Sequence, residues 1–240
     1  MNLFLFLILG HVFGDFYLQT NEMASNKSKH FLRHITIYTL ILVMIYMLLN
    51  GSDFVFIFGG AVFLSHLIID GFNRYVIINL HDKYNWIQVV VFLVDQISHI
   101  LVLVIFLNYF NRIYFDLNSA NNYLLFITVV SYLIMPSSII VNKVIAMIND
   151  DESNNSFKLD EGTIIGILER LLIFAMGITG NLSGIGFLIA AKTMVRYGEF
   201  DDKNGKVSAF RAKYLIGTLT SVLLGVIFSM VFIGLKSNIP

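Results

Sequence analysis

The chain has 240 residues; 57% are hydrophobic and 13% charged, and the mean hydropathy is +0.76. That is too apolar for a soluble domain of this size, and a balance of 16 basic against 16 acidic residues argues against nucleic acid as a partner. Cysteine is absent, which removes disulfides, thiolate metal sites and cysteine nucleophiles.

Several apolar runs reach the roughly 18 to 20 residues that cross a bilayer, so the expected fold is an all-α integral membrane protein with about seven to eight transmembrane helices. Span one runs from about Asn2 to Leu18. It lacks a basic flank, and His11 and Asp15 interrupt its apolar centre, so a retained span is expected rather than a cleaved signal peptide. Span two covers about His34 to Leu49, and the turn Asn50-Gly51-Ser52-Asp53 leads into span three, Phe54 to Arg74. Tyr84 and Trp86, in the loop that follows, suit a membrane interface. Span four runs from about Ile87 to Phe106. Span five runs from about Tyr123 to Ile145 and holds Pro136, where a kink is expected. An acidic loop at 149–162 divides a front half, 1–148 with four to five spans, from a rear half, 163–240. The rear begins with two short segments, Gly162 to Thr179 and Leu182 to Val195, which read either as two thin spans or as a re-entrant helical hairpin. Gly177, Gly180, Gly184 and Gly186 would let this pair pack closely. A last span covers about Tyr214 to Leu235.

With the N-terminus outside, the inner loops hold Lys27, Lys29, Arg33, Arg74, Lys83, Lys143, Lys158, Arg196, Lys203, Lys206, Arg211 and Lys213. The outer side keeps Arg112 and Lys236. This bias of 12 to 2 places both termini on the outer side of the membrane.

Three spans carry a histidine and an aspartate four residues apart: His11 and Asp15, His66 and Asp70, Asp95 and His99. That spacing puts both side chains on one helix face. Ionisable groups within a bilayer are costly and usually face the bundle interior. Counted from the cytoplasmic ends at about 1.5 Å per residue, the six groups fall in overlapping layers. Imidazole and carboxylate are the ordinary ligands of zinc, and also of manganese and iron, and helical pairs aimed into a bundle core commonly build such sites. His11, Asp15, His66, Asp70, Asp95 and His99 are therefore candidate ligands of a divalent ion, zinc foremost. Gln19, His34, Tyr38 and Gln96 are candidates to orient them. A lone membrane histidine is more often a hydrogen-bonded packing residue, and a His–Asp pair can relay protons without metal. His30 and His81 read as loop residues. In the rear half, Glu169, Arg170, Lys192 and Arg196 read either as a Glu169–Lys192 ion pair with snorkelling cations or as a cluster facing an anionic headgroup or phosphate.

The blocks HVFGDFYLQ (His11 to Gln19), HITIY (His34 to Tyr38), HLIID (His66 to Asp70) and DQISH (Asp95 to His99) resemble an uncharacterised bacterial multi-pass membrane family, the domain of unknown function DUF3307. The rear blocks GTIIGILERLLI, GFLIAAKTMVRYGEF and KYLIGTLTS resemble it too, extending the likeness over nearly the whole chain. Asn73 departs from the pattern, which has a lysine there; Arg74 follows it. The front half is more weakly similar to membrane-bound metal-dependent hydrolases. The resemblance implies location and architecture. Ligand chemistry adds the functional expectation: a metal-dependent hydrolase of a lipid or lipid-linked substrate, ahead of a proton-coupled or metal-ion transporter. A third reading is a non-catalytic membrane partner of a soluble cytoplasmic regulator, alone or as a homo-oligomer.

Overall fold

The computed structural model describes residues 2–20, 22–23, 27–80, 86–110, 119–149, 160–195 and 207–237. Among them the regular structure is helical. Helix α1 spans Leu3–Val12 and runs on as a π-helical turn, Phe13–Tyr17. Then follow α2 (Lys27–Asn50), α3 (Val55–Leu80), α4 (Ile87–Tyr109), α5 (Ser119–Asn149), α6 (Glu161–Ile178), α7 (Leu182–Val195) and α8 (Val207–Ser237).

The local signals that bound these helices are ordinary ones. The Asn2 side chain accepts the Leu5 N–H at the start of α1, and Asp160 does the same for Thr163 at the start of α6. Gly51, at φ +79°, closes α2 in the left-handed conformation, its N–H bonding the Met47 carbonyl. Helix α5 continues through Pro136 from Ser119 to Asn149. Helices α2, α3 and α5 start or end a turn or more beyond the apolar runs, because polar residues such as Lys27 and Asn79 extend a helix that no proline or cap interrupts.

Five segments are long and apolar enough to cross a membrane: Lys29–Asn50, Val55–Leu80, Ile87–Tyr109, Asn121–Met147 and Lys213–Lys236. Leu3–Tyr17 and Leu182–Met194 are apolar but shorter, and at about 1.5 Å per residue they fall short of a core about 30 Å thick. Helix α6 carries Glu161, Glu169 and Arg170 within its 18 residues. Large apolar side chains point outward along the long helices, among them Phe56, Leu64 and Ile68 on α3 and Leu101 and Ile105 on α4. In water this surface would be unfavourable; against lipid it is not.

Two apolar cores hold the bundle. One joins α1, α2, α3 and α4 through Leu7, Leu42, Tyr46, Phe58, Leu103 and Phe106. The other joins α1, α5, α6 and α8 through Leu5, Leu125, Leu133, Phe174 and Phe232. Helix α1 contributes to both, so it sits where the two groups meet. The expected glycine packing between the short rear segments takes a different form. Helix α6 packs instead on α8, where a Cβ at Gly177 would meet Ser229 and one at Gly225 would lie 2.7 Å from Ile173. A Cβ at Gly186 meets nothing within 4 Å. Helix α7 lies against α6.

Candidate metal centre

The site begins with how closely α1 approaches α2. A Cβ at Gly14 would stand 2.8 Å from the Tyr38 ring and 3.4 Å from its Cα, and one at Gly10 would stand 2.5 Å from Ile45. Only glycine permits this contact, and it is the small-xxx-small device of membrane helix pairs. The helix widens into its π turn here, which carries Asp15; such turns recur at functional sites because they re-aim side chains. Asp15 is 7% exposed, and its Oδ1 is buried without accepting a hydrogen bond.

That oxygen and three further donor atoms, from His34, His66 and Asp70, gather from three helices. His34 Nε2 and His66 Nε2 lie 3.2 Å apart. Asp15 Oδ1 is 3.5 Å from His34 Nε2 and 3.8 Å from His66 Nε2. Asp70 Oδ2 is 3.4 Å from His66 Nε2 and 3.9 Å from His34 Nε2. Ligands about 2.1 Å from a tetrahedral ion stand about 3.4 Å from one another. The separations that involve the two histidines, 3.2 to 3.9 Å, bracket that value, and donor atoms of Asp15, His34 and His66 all lie within 4.8 Å of one another. Without an ion, two imidazole nitrogens can meet at this distance only if one is protonated toward the other. His66 Nδ1 is buried with no hydrogen-bond partner, so the groups at Nε2, His34 and Asp70, decide its tautomer.

A second set lies beside the first. His99 Nε2 is 3.2 Å from Asp70 Oδ1 and 3.4 Å from Asp95 Oδ1. Donor atoms of Asp15, Asp95 and His99 lie within 4.8 Å of one another. Asn73 Nδ2–H donates to Asp95 Oδ1 at 2.6 Å and so orients a candidate ligand.

His11 takes another role. Its Nε2–H donates to Gln96 Oε1 at 3.1 Å, and its Nδ1 accepts from the Tyr38 hydroxyl at 3.0 Å. Gln96 Nε2 donates to Asp15 Oδ2 at 3.3 Å and to Asp95 Oδ2 at 3.1 Å. Two carboxylate oxygens on one side and an imidazole N–H on the other leave a single satisfying orientation for the amide. With both ring nitrogens engaged, His11 stands behind the ligands, and His34, expected to orient them, stands among them. The reason is helix length: α2 begins at Lys27, placing His34 two turns inside the helix rather than at its mouth. His11 Nδ1 also lies 3.7 Å from Asp15 Oδ2.

Asp15, His34, Asp70, Asp95 and Gln96 line a cavity of about 370 Å³, together with Gln19, Asn73, Arg74 and Lys143. Gln19 is therefore a wall residue, and among the described residues it bonds none of the candidate ligands. His66 and His99 lie deeper, 1% and 3% exposed. His30 lies in α2, with Nε2 at 3.4 Å from Glu22; His81 and Tyr84 lie outside the described residues.

In the rear half, Lys192 Nζ meets Glu169 Oε2 at 2.5 Å and lies over the Tyr214 ring. Arg170 does not snorkel. It is 2% exposed; its Nε–H donates to the Leu133 carbonyl at 2.9 Å, and its two Nη groups reach Ser221 and Ser138. These bonds stitch α6 to α5 beside Pro136, where a backbone donor is missing, and to α8. Arg196 lies outside the described residues.

The family model described as "Protein of unknown function (DUF3307)" matches residues 3–130. That stretch holds every member of the His/Asp cluster and ends before the rear blocks. No curated protein and no solved structure matches the chain, so the weaker similarity to metal-dependent hydrolases finds no support there.

Proposed function

The chain belongs to the family of proteins of unknown function DUF3307, and we propose that it is a multi-pass protein of the bacterial cytoplasmic membrane acting as a metal-dependent hydrolase of a lipid or lipid-linked substrate. The observation that carries this reading is the convergence of His34 and His66 Nε2 with Asp15 Oδ1 and Asp70 Oδ2 beside the cavity; three of these donors can hold an ion and leave its fourth position open for water or substrate. A divalent cation there, zinc foremost, would offset the cost of burying Asp15. An ion in such a site polarises an ester or phosphoryl oxygen and lowers the pKa of bound water.

The rest of the site fits that use. Asp15, His34, Asp70 and Asp95 face the cavity, so a substrate group can reach them. Arg74 and Lys143 line the same cavity, and their positive charge suits an anionic lipid headgroup. The charge bias assigns both to the cytoplasmic side, which makes that the side of entry. On the far side, Tyr46, Phe58 and Phe106 close the bundle about two turns beyond Tyr38, His66 and His99. The sequence holds no inverted repeat of the kind that builds alternating-access transporters, and the His/Asp donors form one layer toward one end of the bundle, which favours an enzyme.

The test is elemental analysis of the detergent-purified protein, with His66→Ala as control, followed by hydrolysis assays against phospholipid and lipid-linked phosphate panels before and after chelation. Stoichiometric metal lost in the control, with chelator-sensitive turnover, is expected. Protein that holds no metal and is indifferent to chelation would overturn the reading.

A further inference from the structure

Resting on the metal-site reading above, the geometry points to two cations rather than one, with Asp70 as the shared ligand. One ion draws its ligands from His34, His66, one oxygen of Asp15 and one of Asp70. That leaves His99, Asp95 and the other oxygens of Asp15 and Asp70. Of these, His99 Nε2 stands 3.2 Å from Asp70 Oδ1 and 3.4 Å from Asp95 Oδ1, with donor atoms of Asp15, Asp95 and His99 within 4.8 Å of one another. The Asp70 carboxylate is divided between the two groups. Its Oδ2 faces His66 at 3.4 Å, and its Oδ1 faces His99 at 3.2 Å. A carboxylate whose oxygens face two different imidazoles is placed to bridge two ions.

The histidine rings support the same arrangement. Those of His66 and His99 are stacked, with centroids 4.3 Å apart and planes 22° from parallel, and both direct Nε2 toward Asp70. Both rings present Nε2 to the same carboxylate, the arrangement by which a bridging carboxylate holds two ions roughly 3.5 to 4 Å apart. Charge leads to the same count. The cluster gathers three carboxylates, Asp15, Asp70 and Asp95. With neutral imidazoles, one dication leaves the set at a net −1, whereas two leave it at +1, able to accept an anionic substrate group such as a phosphate from the cavity. The buried Asp15 Oδ1, which accepts no hydrogen bond, is left to the first ion.

The full-length protein in detergent, freed of metal and titrated with Mn²⁺, tests this by equilibrium binding and electron paramagnetic resonance. Two ions per chain and an exchange-coupled spectrum are expected. Asp95→Asn should bind one ion and give an uncoupled signal, and His34→Ala should likewise retain one. Saturation of the wild-type protein at one uncoupled ion would overturn the second site while leaving the hydrolase reading intact. Absence of any bound ion would overturn both. The wild-type spectrum decides the matter even if a variant fails to fold.

Discussion

Replacing Gln96 by leucine removes the amide that holds three groups of the site at once. It accepts the His11 Nε2–H at 3.1 Å and donates to Asp15 Oδ2 at 3.3 Å and Asp95 Oδ2 at 3.1 Å. Leucine fills similar volume, so packing changes little. His11 is 0% exposed, and its orphaned N–H should cost about 1–3 kcal/mol of stability. The larger effect falls on the ion. Groups that orient ligands are worth about 10–100-fold in metal affinity, or about 1.4–2.7 kcal/mol. At free metal of about 100 Kd the wild-type protein gains about 2.7 kcal/mol of stability, and a variant bound 100-fold more weakly gains only about 0.4 kcal/mol at the same concentration. Thermal unfolding in detergent with and without Zn²⁺, beside a competition titration against a fluorescent chelator, reads both quantities. Gln96→Glu makes the contrast sharper: an ionised carboxylate cannot donate to Asp15 and Asp95, so the metal-free protein should be the least stable of the three and recover most on adding metal. If Gln96→Leu folds, unfolds at the same temperature and binds Zn²⁺ as the wild type does, the bonding scheme drawn around Asp15 is wrong.

Three further perturbations separate roles that look alike in the sequence. His34→Ala should abolish the four-donor site, whereas His11→Ala should leave metal stoichiometry unchanged and weaken affinity about 10–100-fold; elemental analysis and titration distinguish them, and equal losses would sink the distinction. Gly14→Ala puts a Cβ 2.8 Å from the Tyr38 ring and should cost about 1–3 kcal/mol. Gly60→Ala, where a Cβ meets nothing within 4 Å, should stabilise helix α3 by about 0.5–1 kcal/mol; unfolding midpoints of the pair decide. Lys192→Met strands Glu169, whose side chain is only 13% exposed. It should destabilise by about 1–3 kcal/mol, below the range for fully buried pairs, and the Glu169→Gln/Lys192→Met double variant should recover most of that. A double variant as unstable as the summed singles would remove the pair.

The helical class and the location of the site are legible in the chain itself, because each is a property of one helix at a time. An apolar run of bilayer length declares itself without partners, and a histidine four residues from an aspartate shares its face wherever that helix packs. What the pattern could not supply is the register between helices. His11–Asp15 and His66–Asp70 look equivalent along the sequence, yet His66 Nε2 faces the donor set while both nitrogens of His11 are taken by Tyr38 and Gln96. A glycine contact and a π turn decided that, and neither has a periodic signature. His34 was obscured by a helix that starts earlier than its apolar run, and Asn73 by a side chain whose partner, Asp95, lies on the next helix. Arg170 followed the same logic: within α6 it resembles a cation reaching for the surface, and only α5 and α8 provide the carbonyl and hydroxyls that hold it inside. Composition and spacing choose the chemistry available to each helix, but which atoms meet depends on how helices slide and turn against one another, a quantity set by side-chain shape at contacts distant in sequence.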